Sequence, residues 1–335
     1  MNEQPLLSLC IPTYNRSSIL CKCLESIVCQ NRFNGDVEIV ISDNASTDDT
    51  EKIATQYSNR YPNIKYFKND QNIKDGNYPI SLDRAKGNYV KLLNDNCILE
   101  EGALDYLTSK LQSNYDNKTP VFFTNNFVYT RSKNEEIVCN SLDSLVAVLS
   151  TYVTAISCFG AWKEHWLVIK DKMKYSSLKL PQDDWIYQIM EMEKKCILYD
   201  KCYYSVGNVG IRRGYNWFEV HLDNYYRIMQ PYIERGLVCS KTLYEDKIHL
   251  LKHFTPNLIQ IYCVPYKNDI WQYDTNDTFV YFWKHYKTVP LFYLYLFLYP
   301  FYVCFYFPFS ILKWIAKRIT KRMGLYNKIK GIKDD

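Results

Sequence analysis

Three apolar runs in the first hundred residues each end in a polar cluster whose side chains suit binding and acid–base work. The clusters are IPTYNR (Ile11 to Arg16), VISDNASTD (Val40 to Asp48) and LLNDN (Leu92 to Asn96). They contain carboxylates at Asp43, Asp48 and Asp95, amides at Asn15, Asn44, Asn94 and Asn96, the Thr13 hydroxyl and the Arg16 guanidinium, with Pro12 closing the first run. If the runs are parallel strands, the clusters fall at their carboxyl ends. The ligand crevice of an α/β sheet lies there, so these residues are placed for binding rather than for the core. A sheet edge presents a nucleotide site in this way. Other chemistries lack their residues. The five His have no ligand spacing, no Ser-His-Asp or Cys-His arrangement can be assembled, and the 12 Cys lack paired metal-ligand spacing. Covalent catalysis is therefore set aside and zinc is not expected.

The elements between these clusters alternate in type. Ser17 is the expected cap of a helix whose apolar residues Ile19, Leu20, Cys23, Leu24, Ile27 and Val28 recur at three- and four-residue spacing. The strand VEIVIS leads through Ser46, Thr47 and Asp48 into the helix DTEKIATQYSNRY. A short strand, IKYFKN, a helix-like stretch, NYPISLDRAKG, and the strand YVKLL follow. Strands alternating with helical patterns predict an α/β fold with a mostly parallel, doubly wound sheet flanked by helices. Further on, VFFTNNFVYT reads as a strand, SLDSLVAVLSTY as a helix, and ISCFGAWKEHW as a strand running into a turn. LPQDDWIYQIMEMEKKC reads as a helix with Asp183 and Asp184 in its first turn, where the helix dipole favours acids. KCYYSVGNVGIRRGYNWF is expected to be a Gly-punctuated loop, and Asn224 to His253 helical. The expected organisation is a nucleotide-binding and catalytic domain over 1–220, a helical extension over 221–288, and an aromatic, basic tail over 289–335.

The tail differs in composition from everything before it. Of the 41 Lys+Arg and 36 Asp+Glu in the 335 residues, eight and two lie after Leu312, leaving 33 and 34 on a nearly neutral body. This argues against a general nucleic-acid surface and for a local contact with something anionic. From Val289 to Leu312 no residue is charged, and eleven of the nineteen residues from Leu291 to Phe309 are Phe or Tyr. Such a run is long enough to span a bilayer, since roughly 20 residues suffice. Pro290, Pro300 and Pro308 argue against one straight helix, and the aromatic density fits an interfacial belt. A re-entrant or surface-lying segment is the expectation, with Lys313 to Lys330 on anionic headgroups, and an aromatic core element is the alternative. The N-terminus shows no secretory apolar region, so reduced thiols in the cytosol are the simplest reading.

With SLCIPTYNR, EIVISDNASTDDT and AKGNY before LLNDN in this order, the first 110 residues resemble the family-2 inverting glycosyltransferases of GT-A (Rossmann-like) fold. The likeness continues loosely to about position 215. Within the family the chain is most similar to bacterial enzymes of lipid-linked cell-surface polysaccharide synthesis, including O-antigen and capsule, and to the abequosyltransferase-like branch. The resemblance implies that Thr13 lies against the nucleotide and that Asp43 accepts hydrogen bonds from the base. An acidic motif is expected to hold Mn2+ or Mg2+ against the diphosphate at Asp95 and Asn96. The last position of that motif is an amide here, with no formal charge, so the metal site is weakened. Arg212 and Arg213 are the implied loop cations on phosphate, with a solvated basic turn as the alternative. Lys74 and Arg84 are the nearest matches to a further basic contact before the third strand. The base implied is Asp184, with Asp183 as its understudy. Trp162, Trp166 and Trp185 are the expected acceptor-side aromatics, core packing being their other reading.

Two readings follow. The first is an inverting glycosyltransferase on the cytoplasmic face of a bacterial inner membrane, peripheral or monotopic, moving a sugar from a nucleotide-diphosphate donor to a hydroxyl of a lipid-linked saccharide. The second is a scaffold that keeps the fold, has lost metal chemistry at Asn96, and binds a nucleotide sugar or a partner enzyme. Retention of Asp43, Asp95 and the Asp183–Asp184 pair together favours the first.

Overall fold

Strands β1 (Leu7–Thr13) and β2 (Val37–Asp43) are buried at every position, which is why they read as apolar runs rather than as alternating patterns. They belong to a computed structural model that describes residues 4–126, 135–207, 212–263, 271–301, 304–305 and 312, and only the backbone of 212–213, 254–263 and 271–272. Helix α1 (Ser17–Val28) connects the two strands and buries Leu20, Cys23, Leu24 and Ile27 against the sheet. Each buried Leu or Ile side chain stabilises by about 2 kcal/mol. Helix α2 (Thr50–Arg60), strand β3 (Ile64–Lys68), helix α3 (Asn77–Arg84) and strand β4 (Tyr89–Leu92) complete the α/β alternation. Next come β5 (Cys97–Leu99), α4 (Ala103–Ser113), β6 (Val121–Phe123), β7 (Glu136–Cys139), α5 (Leu142–Leu149), β8 (Gly160–Trp162) and α6 (Lys163–Val168). The central sheet has the order β3-β2-β1-β4-β8, parallel except for β8 against β4. Gly87 lets α3 feed β4 tightly past β1, because a Cβ there would lie 2.8 Å from the Ser8 amide nitrogen.

Helix α7 (Pro181–Glu193) begins with Pro at its first turn, where the missing N–H costs nothing. It leads into β9 (Cys196–Tyr199), the centre of a small sheet ordered β6-β9-β7, and then into β10 (Tyr204–Val206), which pairs antiparallel with β5. Strand β11 (Arg212–Asn216), a π-helical turn at Glu219–Asn224, α8 (Tyr225–Glu234), α9 (Ser240–Cys263), β12 (Trp271–Asp274) and α10 (Thr278–Tyr286) follow. Residues 290–301 are helical.

The chain divides into two units, residues 1–209 with 218–246, and residues 210–217 with 247–335, so the first unit runs past position 220 and takes in α8. Three local expectations change. Ser17 is the first helical residue rather than the cap, and its amide donates to Asp48 Oδ2 at 3.0 Å. The Gly-punctuated loop contains β10 and β11, strands too short to give a period. The long helical stretch breaks between α8 and α9, where Gly236 takes the left-handed conformation that ends helices. No helix among the described residues is long and apolar enough to cross a membrane, and 313–335 lie outside the described residues.

Candidate active site

The parallel register sets Thr13, at the end of β1, opposite Asp43, at the end of β2, while β4 on the other side of β1 runs into Asn94–Asn96. The junction closes on Asp95, which is 3% exposed. Its Oδ2 accepts from Thr13 Oγ1 at 2.9 Å, and its Oδ1 accepts from Arg16 Nη1, also at 2.9 Å. Burial pushes the Asp95 carboxyl pKa up, while the Arg16 charge and the Thr13 hydroxyl pull it back. Asn94 and Asn96 are held by their backbones: the Asn94 amide donates to Ser157 Oγ at 3.1 Å, and the Asn96 carbonyl accepts from the Gly207 amide at 2.8 Å.

The Asp43 side is bonded just as fully. Asp43 is wholly buried, with Oδ1 accepting from the Ser46 amide at 2.9 Å and Oδ2 from the Tyr66 hydroxyl at 2.8 Å. Burial, and then the Asp43 carboxylate, drive the phenol's pKa up. Asn15 and Ala45 adopt left-handed backbone at the two strand tips, and Asn15 Oδ1 accepts from the Thr47 amide at 2.7 Å, locking the two loops together. Asn44 donates to Asn72 Oδ1 and the Lys74 carbonyl, and accepts from the Ile73 amide. It serves as a loop brace rather than presenting a free amide. Arg84 donates to Ser42 Oγ and Asn69 Oδ1, both at 2.7 Å, and so supports the same edge from below.

The acid pair on α7 splits, because adjacent helix positions point about 100° apart. Asp183 is fully buried, and neither carboxylate oxygen meets a hydrogen-bond partner. Burial, then the Asp184 charge, push its pKa well above the carboxylate range. Asp184 lines a cavity of about 620 Å3 with Lys170, Lys174, Gln188, Tyr232 and Arg235. Its Oδ1 accepts from Tyr232 Oη at 2.8 Å and its Oδ2 from Gln188 Nε2 at 2.7 Å. The start of α7 is tied to the segment that carries Ser157, since Gln182 Nε2 donates to the Thr154 carbonyl at 2.7 Å.

The three tryptophans take the core reading instead of the acceptor one. Trp162 is fully buried, with Nε1 on the Thr119 carbonyl at 2.8 Å and its ring edge-on to Tyr89. Trp166 and Trp185 pack on each other with centroids 4.9 Å apart, and both indole N–H groups are bonded, to Asp83 Oδ1 and to the Lys172 carbonyl. No face of these rings is left for a sugar. Arg212 and Arg213 lie on β11 in the second unit, and their side chains are outside the described residues. Sequence reasoning missed Tyr66 and Ser157, single residues in stretches with no spacing signal. It also missed Lys91, wholly buried on β4, whose ammonium donates to the Ser157 carbonyl and whose pKa burial lowers to about 8.

A metal ion fits this junction poorly. Asp95 is the one acid of its motif and the Arg16 guanidinium already sits 2.9 Å from its Oδ1, while Asn96 adds no charge. Among the described residues no group of three or more His, Cys, Asp or Glu is disposed to hold an ion. The resemblance implies a divalent ion at this point, and the residues of the junction do not suit one.

Residues 8–167 match the model of Glycosyl transferase family 2. Abequosyltransferase RfbV of Salmonella typhimurium is 42% identical over 113 residues, 33% of this chain and 34% of that one. The GalNAc(5)-diNAcBac-PP-undecaprenol beta-1,3-glucosyltransferase of Campylobacter jejuni is 40% identical over 114 residues, 33% of this chain and 36% of that one. The matched stretch thus spans about a third of the length of these curated relatives. The fold extends further: S. aureus TarS 1-349 in complex with UDP-GlcNAc superposes with a TM-score of 0.53 at 16% identity, covering 78% of this chain and 76% of that one. The parallel edge at Thr13, Asp43 and Asp95 falls inside the matched region, and the chain carries a family-2 glycosyltransferase domain of GT-A fold.

Proposed function

We propose that the protein is an inverting glycosyltransferase that moves a sugar from a nucleotide-diphosphate donor to a hydroxyl of a lipid-linked saccharide in bacterial cell-surface polysaccharide synthesis. The observation that carries this reading is the Thr13–Asp95–Arg16 junction beside Asp43, at the carboxyl edge of a parallel sheet inside a family-2 domain. The nucleotide takes the edge between Asp43 and Asp95, with Thr13 beneath it. The acceptor oxygen attacks the sugar's anomeric carbon from the face opposite the diphosphate. The bond from that carbon to the diphosphate oxygen breaks, its electron pair leaves with the diphosphate, and the acceptor proton passes to a carboxylate. Asp184 is the member of the acid pair that opens on a cavity, one lined by the 168–174 segment, α7 and α8 and by no residue of the Thr13–Asp43–Asp95 edge, so its role as base rests on the family resemblance. Tyr232 and Gln188 fix its orientation, and each oxygen keeps a second acceptor position for the incoming hydroxyl. A protonated Asp183 puts no second negative charge beside it. The acceptor class is supported by the Campylobacter relative, a glucosyltransferase of GalNAc(5)-diNAcBac-PP-undecaprenol.

The aromatic segment supports work at a membrane surface, and the cytoplasmic face is the side we propose. Along the helix at 290–301, Leu294, Phe297, Leu298 and Phe301 are exposed at three- and four-residue spacing, forming one apolar stripe ahead of the basic tail. A surface-lying helix of this kind buries its stripe at the headgroup boundary, and the cations bind anionic lipid. The test of both parts is transfer of radiolabelled sugar from a panel of nucleotide sugars to lipid-linked saccharides, with co-sedimentation of the full chain on anionic and zwitterionic vesicles. Transfer with inversion and preferential binding to anionic vesicles are expected. Absence of transfer from every donor counts against the enzyme reading, and equal binding to both vesicle types counts against the anionic contact.

A further inference from the structure

We propose that Arg16 stands where other sites use a divalent metal, so that this chain binds its nucleoside diphosphate, and lets it leave, without such an ion. The proposal rests on the reading of the chain as a nucleotide-sugar transferase and specifies how that site handles the diphosphate charge. It starts from the occupancy of Asp95. Each Asp95 oxygen already accepts one hydrogen bond at 2.9 Å, from Arg16 Nη1 and from Thr13 Oγ1, so an ion would have to use a second lone pair beside the guanidinium or the hydroxyl. An ion at Oδ1 would have to displace the guanidinium or sit against a fixed positive charge. Asn96 contributes at most a neutral amide oxygen, and its carbonyl already accepts from Gly207.

Charge balance and orientation favour the guanidinium. A pair of carboxylates matches a doubly charged ion, whereas the single carboxylate at Asp95 matches the single charge of Arg16. The replacement of an acid by Asn96 and the presence of Arg16 are thus two sides of one arrangement. The pair is also polarised. The Arg16 side chain is 43% exposed and that of Asp95 only 4%, so the cation stands toward solvent with the anion behind it. One N–H of the guanidinium goes to Asp95, and its planar fork keeps further donors suited to bidentate contact with phosphate oxygens. In the transfer step Arg16 makes and breaks no covalent bond. The sugar's anomeric carbon parts from the diphosphate oxygen, the electron pair arrives on the diphosphate, the acceptor proton goes to the base, and Arg16 holds the charge that has arrived. Asp95 then acts as a positioning residue, fixing the guanidinium at the sheet edge.

The test is calorimetric titration of the full chain with UDP, CDP, GDP and dTDP, once with EDTA and once with excess MnCl2. For the nucleotide that binds, affinity is expected to agree between the two conditions to within about threefold. Arg16→Met is expected to lose about tenfold or more for the diphosphate while keeping wild-type affinity for the bare nucleoside, and Arg16→Lys to recover part of the loss through its point charge. The double variant Arg16→Met with Asn96→Asp rebuilds two acids without the guanidinium, and should bind the diphosphate with Mn2+ and poorly with EDTA. Wild-type binding that tightens tenfold or more with Mn2+, or an Arg16→Met chain that binds the diphosphate like wild type, overturns the proposal and leaves the transferase reading standing. If no nucleotide binds under either condition, the transferase reading falls and the proposal falls with it.

Discussion

Asp95 and Asp183 are both buried carboxyls, yet their surroundings are opposite. Asp95 closes a finished network, with one oxygen on Arg16 and the other on Thr13, while neither oxygen of Asp183 has a hydrogen-bond partner. A buried acid with two donors keeps its place and its charge at small cost, whereas one without partners is held neutral by burial. The donor edge is therefore built before any ligand arrives, and the acid pair on α7 carries the polar tension of the fold. Under the proposed function this division gives a rigid edge for the nucleotide and, on α7, an acid pair whose balance would change when the second substrate enters.

The sharpest break of the comparison is at the α7 acids. Asp184→Asn keeps the side chain's shape and its bond to Tyr232 but removes the base. Transfer should fall by on the order of 10^3, the usual scale for a general base, with nucleotide affinity unchanged. Single-turnover rates measured beside donor titration check this, and a rate within tenfold of wild type would remove Asp184 from the base role. At the seat, Asp95→Ala orphans the Arg16 guanidinium and the Thr13 hydroxyl together. The Arg16 left behind is 43% exposed and water can solvate it, so the loss comes mainly from the orphaned Thr13 hydroxyl, and about 1–2 kcal/mol is expected in denaturant titration, with weakened nucleotide binding. An unchanged midpoint would mean that the network contributes little.

Asp183 supplies a test in pH. Its folded pKa is raised above the unfolded carboxyl value, so its contribution to stability is complete below that unfolded value and is lost as pH rises toward the raised one. Asp183→Asn carries no such proton. The melting temperature of the variant, relative to wild type, should therefore climb as pH rises from the ordinary carboxylate range through neutrality. Parallel curves would mean that Asp183 finds partners the fold does not show.

The same contrast explains what the sequence revealed. Strands β1 and β2 are buried on both faces, so their runs are mostly apolar, broken by Ser42 and by Ser8, which donates to Glu38 inside the sheet, and Thr13 and Asp43 stand at their ends. That made the fold of the first hundred residues legible, and with it the gathering of these side chains at one sheet edge. Around α7 the sequence gives residue types but not directions. Asp183 and Asp184 are neighbours in the chain, and only the packing of α8 through Tyr232 decides which of them meets a cavity. Trp162, Trp166 and Trp185 have the same chemistry on a sugar platform as in a core, and the ring contacts with Tyr89 and Phe159 assign them to the core. The strands β10 and β11 are three and five residues long, shorter than a period needs to declare itself.

The mildest test lies at Tyr66, which donates to Asp43 Oδ2 at 2.8 Å from the neighbouring strand β3. Tyr66→Phe removes that donor and nothing else of volume. Asp43 keeps the Ser46 amide at 2.9 Å, so one of its two fixed bonds remains. A hydrogen bond to a charged group contributes about 1.5–3 kcal/mol, but this phenol is only partly buried and water can take over its place, so a loss of about 1 kcal/mol is expected. If the seat is as finished as its network implies, nucleotide affinity should follow stability only weakly, because Ser46 and the Asn44 brace still hold the loop. A tenfold loss of nucleotide binding with no loss of stability would instead give the Tyr66 phenol a direct part in orienting Asp43 toward the base, and the seat would be less self-sufficient than its bonds suggest.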